Sequence, residues 1–188
     1  MKNKLVFKIT FCAVIAAMSG ALALVGEINF GLFEATLSPI PLIVVSIVFG
    51  PVYGLLSGLV AGFIEQLAYG LNLQTILWLL SHMAWGGFTG LLYYLLKRIF
   101  NDNKIYKKII IYSVAIIISA LIANVCNSFA LAITGYASQD ITDLKMFITY
   151  AVTRFVSVPV HAAIFIPVCY LVCDRLKKIS FLNPEHNK

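Results

Sequence analysis

Several polar side chains occur inside long apolar runs of this chain, where such groups are costly and by default mark a functional site. They are Glu65, His82, Asn124, Asn127, Arg154 and His161. A carboxylate, a guanidinium and two imidazoles brought together could bind a small polar solute through charge-assisted hydrogen bonds. The alternative is structural, with Glu65 and Arg154 forming a buried ion pair and the other groups bonding between helices. Desolvating several charges for structure alone costs more than pairing usually returns.

Aromatic residues strengthen the binding interpretation. Trp78 and Trp85 flank His82 at four and three residues, so a helix places all three on or near one face. Arg154 and His161 are two helical turns apart and share a face. We expect a pocket for a small planar or carboxylate-bearing solute. The predicted substrate-binding residues are Glu65, Trp78, His82, Trp85, Asn127, Arg154, His161, Phe33 and Tyr69.

The elements that position these residues are membrane helices. Of the 188 residues, 61% are hydrophobic and only 12% are charged, and the mean hydropathy is +0.92. Soluble domains carry about 25% charged residues. We predict an all-α bundle of six transmembrane helices in one domain, 1–188, with spans at 9–26, 38–53, 54–70, 76–96, 109–134 and 146–173. The second span contains Pro39, Pro41 and Pro51, so we expect it to be short or tilted.

The basic residues predict the orientation. The net charge is +6, and twelve of the fourteen Lys and Arg residues fall in three clusters. These are Lys2, Lys4 and Lys8; Lys97, Arg98, Lys104, Lys107 and Lys108; and Arg175, Lys177, Lys178 and Lys188. Because cytoplasmic loops are enriched in Lys and Arg, both termini and the 97–108 loop are predicted to be cytoplasmic. This distribution indicates a bilayer rather than nucleic acid as the partner.

Small residues predict how the helices pack. Gly50, Gly54, Gly58 and Gly62 recur every fourth residue, which leaves one helix face bare for close approach of a neighbour. The four cysteines lie within predicted spans, which predicts buried, inert thiols and no disulfide or metal site. The first helix also has a secretory-signal alternative, because it combines a basic start with an apolar run and Ala21-Leu22-Ala23.

The whole chain resembles the substrate-binding membrane subunit, or S component, of an energy-coupling factor (ECF) vitamin transporter. The resemblance is carried by six helices with both ends inside, the FGPVYG connection followed by GLLSGLVAG, and the AxxxA spacing of Ala13, Ala17 and Ala21. It implies a high-affinity vitamin binder in a prokaryotic plasma membrane, capped on the outer side by loops 26–37 and 70–75.

The resemblance also implies the partners. The alanine stripe would dock against a membrane coupling subunit, which acts with two cytoplasmic ATPases, so ATP would be used by the partners and this chain would hold no cofactor and no catalytic site. The resemblance does not identify the substrate. Arg154 fits the carboxylate of folate or pantothenate, whereas Glu65 with the two tryptophans suits a donor-rich ring such as a pterin, pyrimidine or deazapurine. Folate carries both kinds of group and is slightly favoured.

Three other functions are compatible with parts of the sequence. An autonomous carrier or channel could relay protons or ions through Glu65 and the histidines, but the inner halves of the helices are mostly Leu, Ile, Val and Ala. A rhomboid-like intramembrane protease could use Ser57 as nucleophile, yet Leu55-Leu56-Ser57-Gly58 lacks the first glycine of the expected Gly-x-Ser-Gly. The third alternative function is that of a purely structural interaction subunit.

Overall fold

The structure is a computed structural model that describes residues 2–29, 34–70, 73–100, 104–134 and 144–178. Six helices and one small hairpin make up this part of the chain. In order they are α1 Lys2–Val25, β1 Glu27–Asn29, β2 Glu34–Thr36, α2 Pro39–Phe49, α3 Pro51–Tyr69, α4 Leu73–Phe100, α5 Ile105–Thr134 and α6 Leu144–Lys178. The prediction of a six-helix fold is therefore confirmed.

Four of these helices are long and apolar enough to cross a membrane. They cover Leu5–Val25, Pro51–Ala68, Ile105–Ala130 and Arg154–Lys178. Helix α2 is apolar but shorter, and α4, although 28 residues long, is not among the four. In α4 the polar His82 and Ser81 and several glycines reduce the hydropathy of the central stretch.

The boundary between α2 and α3 corrects the sequence prediction. Helix α2 ends at Phe49, and the backbone of Gly50 has φ 109°, a conformation that residues with a Cβ rarely adopt. Pro51 then begins α3, at a position where its fixed φ suits a helix and its missing N–H is not needed. Gly50 therefore makes the joint between two helices, whereas the sequence placed it on the glycine packing face.

Helix α2 lies at the centre of the bundle. Ten of its eleven residues are buried, and it contacts α1, α3, α4 and α6. Protein surrounds it on several sides, which explains why its sequence is continuously apolar rather than amphipathic. Ala16 of α1 and Phe165 of α6, both almost fully buried, belong to the same hydrophobic core as the residues of α2.

The hairpin is an element that the sequence did not predict. Strands β1 and β2 pair antiparallel, with Glu27 opposite Thr36 and Asn29 opposite Glu34. The Leu37 N–H donates to the Gly26 carbonyl at 3.2 Å, which closes the base of the hairpin between α1 and α2. Strand β2 also contacts α6. The predicted capping segment 26–37 thus contains a hairpin, and residues 30–33 lie outside the described part of the chain.

The two ends of the bundle differ in chemistry. We call the end with the hairpin, the end of α3 and the start of α4 the hairpin end. The opposite end, with the end of α4, the start of α5 and the end of α6, is the basic end. There the Lys177 Nζ donates to the Tyr93 hydroxyl at 2.5 Å and to the Tyr112 hydroxyl at 3.4 Å, joining α6 to α4 and α5.

Glycines bring α3 and α4 into backbone contact. A Cβ added at Gly54 would collide with the Gly86 carbonyl oxygen, and one added at Gly86 would collide with the Gly54 carbonyl oxygen. One turn further along α3, a Cβ at Gly58 would collide with the His82 carbonyl oxygen. A Cβ at Gly62 would approach the His82 Cβ and the Leu79 Cα at 3.3 Å. Three glycines of the predicted packing face thus lie at this interface.

We expect Gly86→Ala to reduce the free energy of unfolding by roughly 1–3 kcal/mol, because the new methyl group must separate two backbones. The matched control is Gly87→Ala, whose Cβ would meet only the flexible Leu55 side chain, at 3.2 Å or more. Thermal unfolding of both variants in detergent measures the difference. Equal unfolding temperatures for the two variants would show that the α3–α4 contact is looser than described.

Candidate functional site

The side chains of Glu65 in α3 and His82 in α4 are in close contact near the hairpin end. The His82 Nε2 lies 2.9 Å from the Glu65 Oε2, and the two side chains are only 12% and 13% exposed. The glycine face places them there, because Gly58 and Gly62 let the backbone of α4 approach α3 at the level of His82. Glu65 therefore has His82 as a partner, whereas the structural alternative from the sequence paired it with Arg154.

This pair retains unused hydrogen-bonding capacity. The Glu65 Oε2 and the His82 Nδ1 are both buried, and neither has an aligned hydrogen-bond partner within the described residues. The 2.9 Å contact between the His82 Nε2 and the Glu65 Oε2 is thus not a linear hydrogen bond. Buried polar atoms without partners cost about 1–3 kcal/mol each. A solute that bonded to these atoms would remove that penalty.

Gln66 is a second source of unused hydrogen-bonding capacity, and it is not among the residues predicted from the sequence. Its side chain is fully buried, and neither its amide nitrogen nor its amide oxygen has a hydrogen-bond partner among the described residues. It follows Glu65 and lies one turn beyond Gly62 on α3. The available signal was an uncharged amide inside an apolar, glycine-rich span, which belongs with the other intramembrane polar residues.

A third group forms between α4 and α6. The Trp85 and His161 rings have centroids 6.0 Å apart, and Phe165 contacts both at 5.5 and 5.1 Å. The His161 Nδ1 lies 2.9 Å from the Ser157 carbonyl oxygen. Because a carbonyl only accepts, Nδ1 carries the proton, which leaves Nε2 as an acceptor in the neutral ring. Trp85 and His161 are each 6% exposed, so this group forms a buried wall rather than an open surface.

The fourth group joins α5 to α6. The Asn124 Nδ2 donates to the Arg154 carbonyl oxygen at 3.0 Å, and the Ser157 hydroxyl donates to the same oxygen at 2.7 Å. The Arg154 side chain is partly buried. Asn127, one turn from Asn124 towards the hairpin end, is also partly buried.

The structure therefore links most of the predicted residues through contacts between neighbouring helices. Glu65 meets His82, Trp85 meets His161, and the backbone of Arg154 meets α5. Trp78 lies one turn from His82 on α4 and is partly buried. Phe33 lies outside the described residues, as does the side chain of Tyr69, the last residue of α3.

Other residues that the sequence raised lie away from this region. The Ser57 hydroxyl is 3.5 Å from the Cys12 carbonyl oxygen, so it is directed towards α1. Cys169 and Cys173 are fully buried, and no group of three or more potential metal-ligating side chains forms within the described ranges. Ala13, Ala17 and Ala21 are all exposed on the outer surface of α1.

Comparison with known proteins now defines the class. The family model described as "ECF transporter, substrate-specific component" matches residues 11–173. The chain therefore belongs to the family of ECF transporter substrate-specific components, membrane proteins that act with a substrate and a partner module. The prediction from the sequence is confirmed at this level.

Solved structures share the fold. The structure described as "Native-SAD phasing for ThiT from Listeria monocytogenes serovar" aligns with a TM-score of 0.70 and 19% identity, covering 90% of this chain and 96% of that one. A bacterial protein described as "Structure and mechanism of the S component of a bacterial ECF transporter" aligns with a TM-score of 0.64 and 18% identity, covering 95% of this chain and all of that one. A comparison with curated proteins found no match.

We expect Glu65→Leu and His82→Leu each to reduce the free energy of unfolding by about 3 kcal/mol, because each leaves a buried polar partner alone. The double variant should lose clearly less than the sum of the two. Detergent-denaturation titrations of the four proteins give the coupling free energy.

The control pair is Glu65→Leu with Thr89→Val, since the Thr89 hydroxyl bonds to the Trp85 carbonyl within its own helix at 2.6 Å. The losses of unfolding free energy caused by these two changes should be additive. Additive losses for the Glu65 and His82 variants as well would mean that the two side chains do not interact.

Proposed function

We propose that this protein captures a water-soluble vitamin or vitamin precursor for an ATP-driven importer. The Glu65–His82 contact carries the proposal, because it concentrates buried, incompletely bonded polar atoms in the membrane region of a chain from a substrate-binding family. An ion pair kept for stability alone would be expected to have its remaining acceptors and donors satisfied. Incomplete bonding instead suits a site that a ligand completes.

The proposed orientation follows the charges. All six helices would cross the bilayer, with both termini and the basic end in the cytoplasm, because Lys and Arg accumulate on that side. The hairpin end would then face outward, in a prokaryotic plasma membrane. Glu65 and His82 would lie close to the outer surface, where a solute arriving from outside could reach them.

The proposed substrate has two chemical poles. A carboxylate and a partly bonded imidazole on α3 and α4 suit hydrogen-bond donors on a planar ring, such as a pterin or pyrimidine. The guanidinium of Arg154 on α6 suits a carboxylate, which it can bind through two parallel hydrogen bonds. Folate has both features and is favoured slightly, followed by pantothenate and by a nucleobase-like precursor.

The proposed partners are a membrane coupling subunit and two cytoplasmic ATPases. Ala13, Ala17 and Ala21 lie on an exposed face of α1, where small side chains allow another helix to approach closely. This face is the proposed docking surface. ATP would be bound by the partners.

The first test is to identify what the purified protein holds. Protein solubilised in detergent is denatured, and the released small molecules are identified by mass spectrometry, alongside thermal-shift titrations with folate, pantothenate and pterins. A vitamin present at one molecule per chain supports the proposal. An empty protein that none of these compounds stabilises contradicts it, and transport by liposomes containing this chain alone would indicate an autonomous carrier instead.

We expect Ala17→Trp to abolish vitamin uptake by cells while leaving binding to the purified protein unchanged, because a large side chain would prevent docking of a partner on α1. The matched control is Ala163→Trp, an equally large change at an exposed position on α6. Uptake of radiolabelled vitamin and equilibrium binding are measured for both. If Ala17→Trp weakens binding instead, the stripe contributes to the bundle rather than to a partner interface.

A further inference from the structure

Helix α6 lacks one backbone hydrogen bond about one turn from Arg154, the residue proposed to bind the anionic part of the substrate. Pro159 has no N–H, so the Phe155 carbonyl loses its helical hydrogen bond. The preceding carbonyl, that of Arg154, accepts two bonds from side chains, from the Asn124 Nδ2 at 3.0 Å and from the Ser157 Oγ at 2.7 Å. Side-chain bonds therefore support the backbone where the regular helix is interrupted.

These bonds continue along α6 to the second residue of the proposed site. Ser157 donates its hydroxyl to the Arg154 carbonyl, and its own carbonyl accepts from the His161 Nδ1 at 2.9 Å. A single series of hydrogen bonds thus runs from Asn124 through Arg154 and Ser157 to His161. Of the members of this series, only Asn124 belongs to another helix, so it is the member that ties the series to α5.

The surroundings of Asn124 favour a specific role for its amide. It lies in α5 beside Ala123, which is fully buried, in a helix that is otherwise mostly apolar. A polar side chain in an apolar span is costly unless it is hydrogen-bonded, and hydrogen bonds between membrane helices stabilise their association. The carbonyl that Asn124 reaches, 30 residues away in sequence, belongs to a residue of the proposed site.

We propose that Asn124 is a positioning residue, which holds the Pro159-interrupted segment of α6 so that Arg154 and His161 are correctly placed for the substrate. This inference rests on the proposed function. A guanidinium that must make two parallel hydrogen bonds to a carboxylate tolerates little displacement, within about 0.5 Å and 10–20°. Loss of the Asn124 bond would therefore weaken binding without removing any group that contacts the ligand.

The test combines two measurements on Asn124→Leu, which preserves the approximate size of the side chain and removes its donor. The first is a double-mutant cycle on affinity, with folate and pantothenate as probes. Asn124→Leu should weaken binding about tenfold when Arg154 is present. It should have an effect of less than about twofold in the Arg154→Ala background, because a positioning residue has nothing left to position.

The second measurement needs no ligand. The chain has two tryptophans, so Trp78→Phe leaves Trp85, packed on His161, as the sole fluorescent reporter. In that background, Asn124→Leu should increase acrylamide quenching of Trp85, because α6 is released from α5. Asn124→Ala, which removes the same donor, should do the same and replaces Asn124→Leu in both measurements if the latter does not fold. Ser113→Ala, which removes a similar bond to the Ile109 carbonyl on α5, should leave quenching unchanged.

Unchanged Trp85 quenching in both Asn124→Leu and Asn124→Ala overturns the inference whatever the ligand. Equal losses of affinity in the presence and absence of Arg154 also overturn it, since they indicate a general structural effect. If wild-type protein binds neither probe, the substrate assignment fails separately, and the quenching result still decides whether Asn124 holds α6.

Discussion

The backbone contact between α3 and α4 is the constraint on which the site depends. Helices in an apolar environment gain little from burying apolar side chains against each other, so they associate through close packing and polar bonds. Gly54 and Gly86 remove the side chains that would hold these two helices apart. The same approach, continued through Gly58 and Gly62, brings His82 within 2.9 Å of Glu65. The close packing of α3 against α4 thus brings the Glu65 carboxyl group and the His82 imidazole together.

The polar groups make their contacts between pairs of helices. Glu65 and His82 link α3 to α4, Trp85 and His161 link α4 to α6, and Asn124 links α5 to the Arg154 backbone. The Glu65–His82 contact fixes both side chains, yet the Glu65 Oε2 and the His82 Nδ1 have no hydrogen-bond partner among the described residues. The tautomer of His161 is comparable, because its Nδ1 is committed to Ser157 and its Nε2 is not. Such an arrangement gives a bound solute defined directions in which to bond.

The sequence predicted the number of helices, because hydropathy is a local property. It also singled out intramembrane polar residues that meet across helices in the structure, and their role as a binding site stays a prediction. It did not predict the partner of Glu65, since the choice between His82 and Arg154 depends on how each helix is rotated about its axis. The predicted spans placed the joint between α2 and α3 at 53–54 rather than at Gly50, although the FGPVYG connection contains this glycine. Gly50 matches the four-residue spacing of the packing face, and only the positive φ distinguishes a turn from a helix position. The hairpin was missed because three-residue strands leave no periodic pattern.

The central helix has a consequence for how this protein enters a membrane. Helix α2 has 11 residues and rises about 16 Å, roughly half the thickness of a bilayer core. It is too short to be held across lipid by itself. It reaches stability only when α1, α3, α4 and α6 enclose it. Insertion of α2 must therefore be coupled to that of α3, through the Gly50 joint. Helix α2 can pack fully into the bundle only after α6, the last helix, has been synthesised.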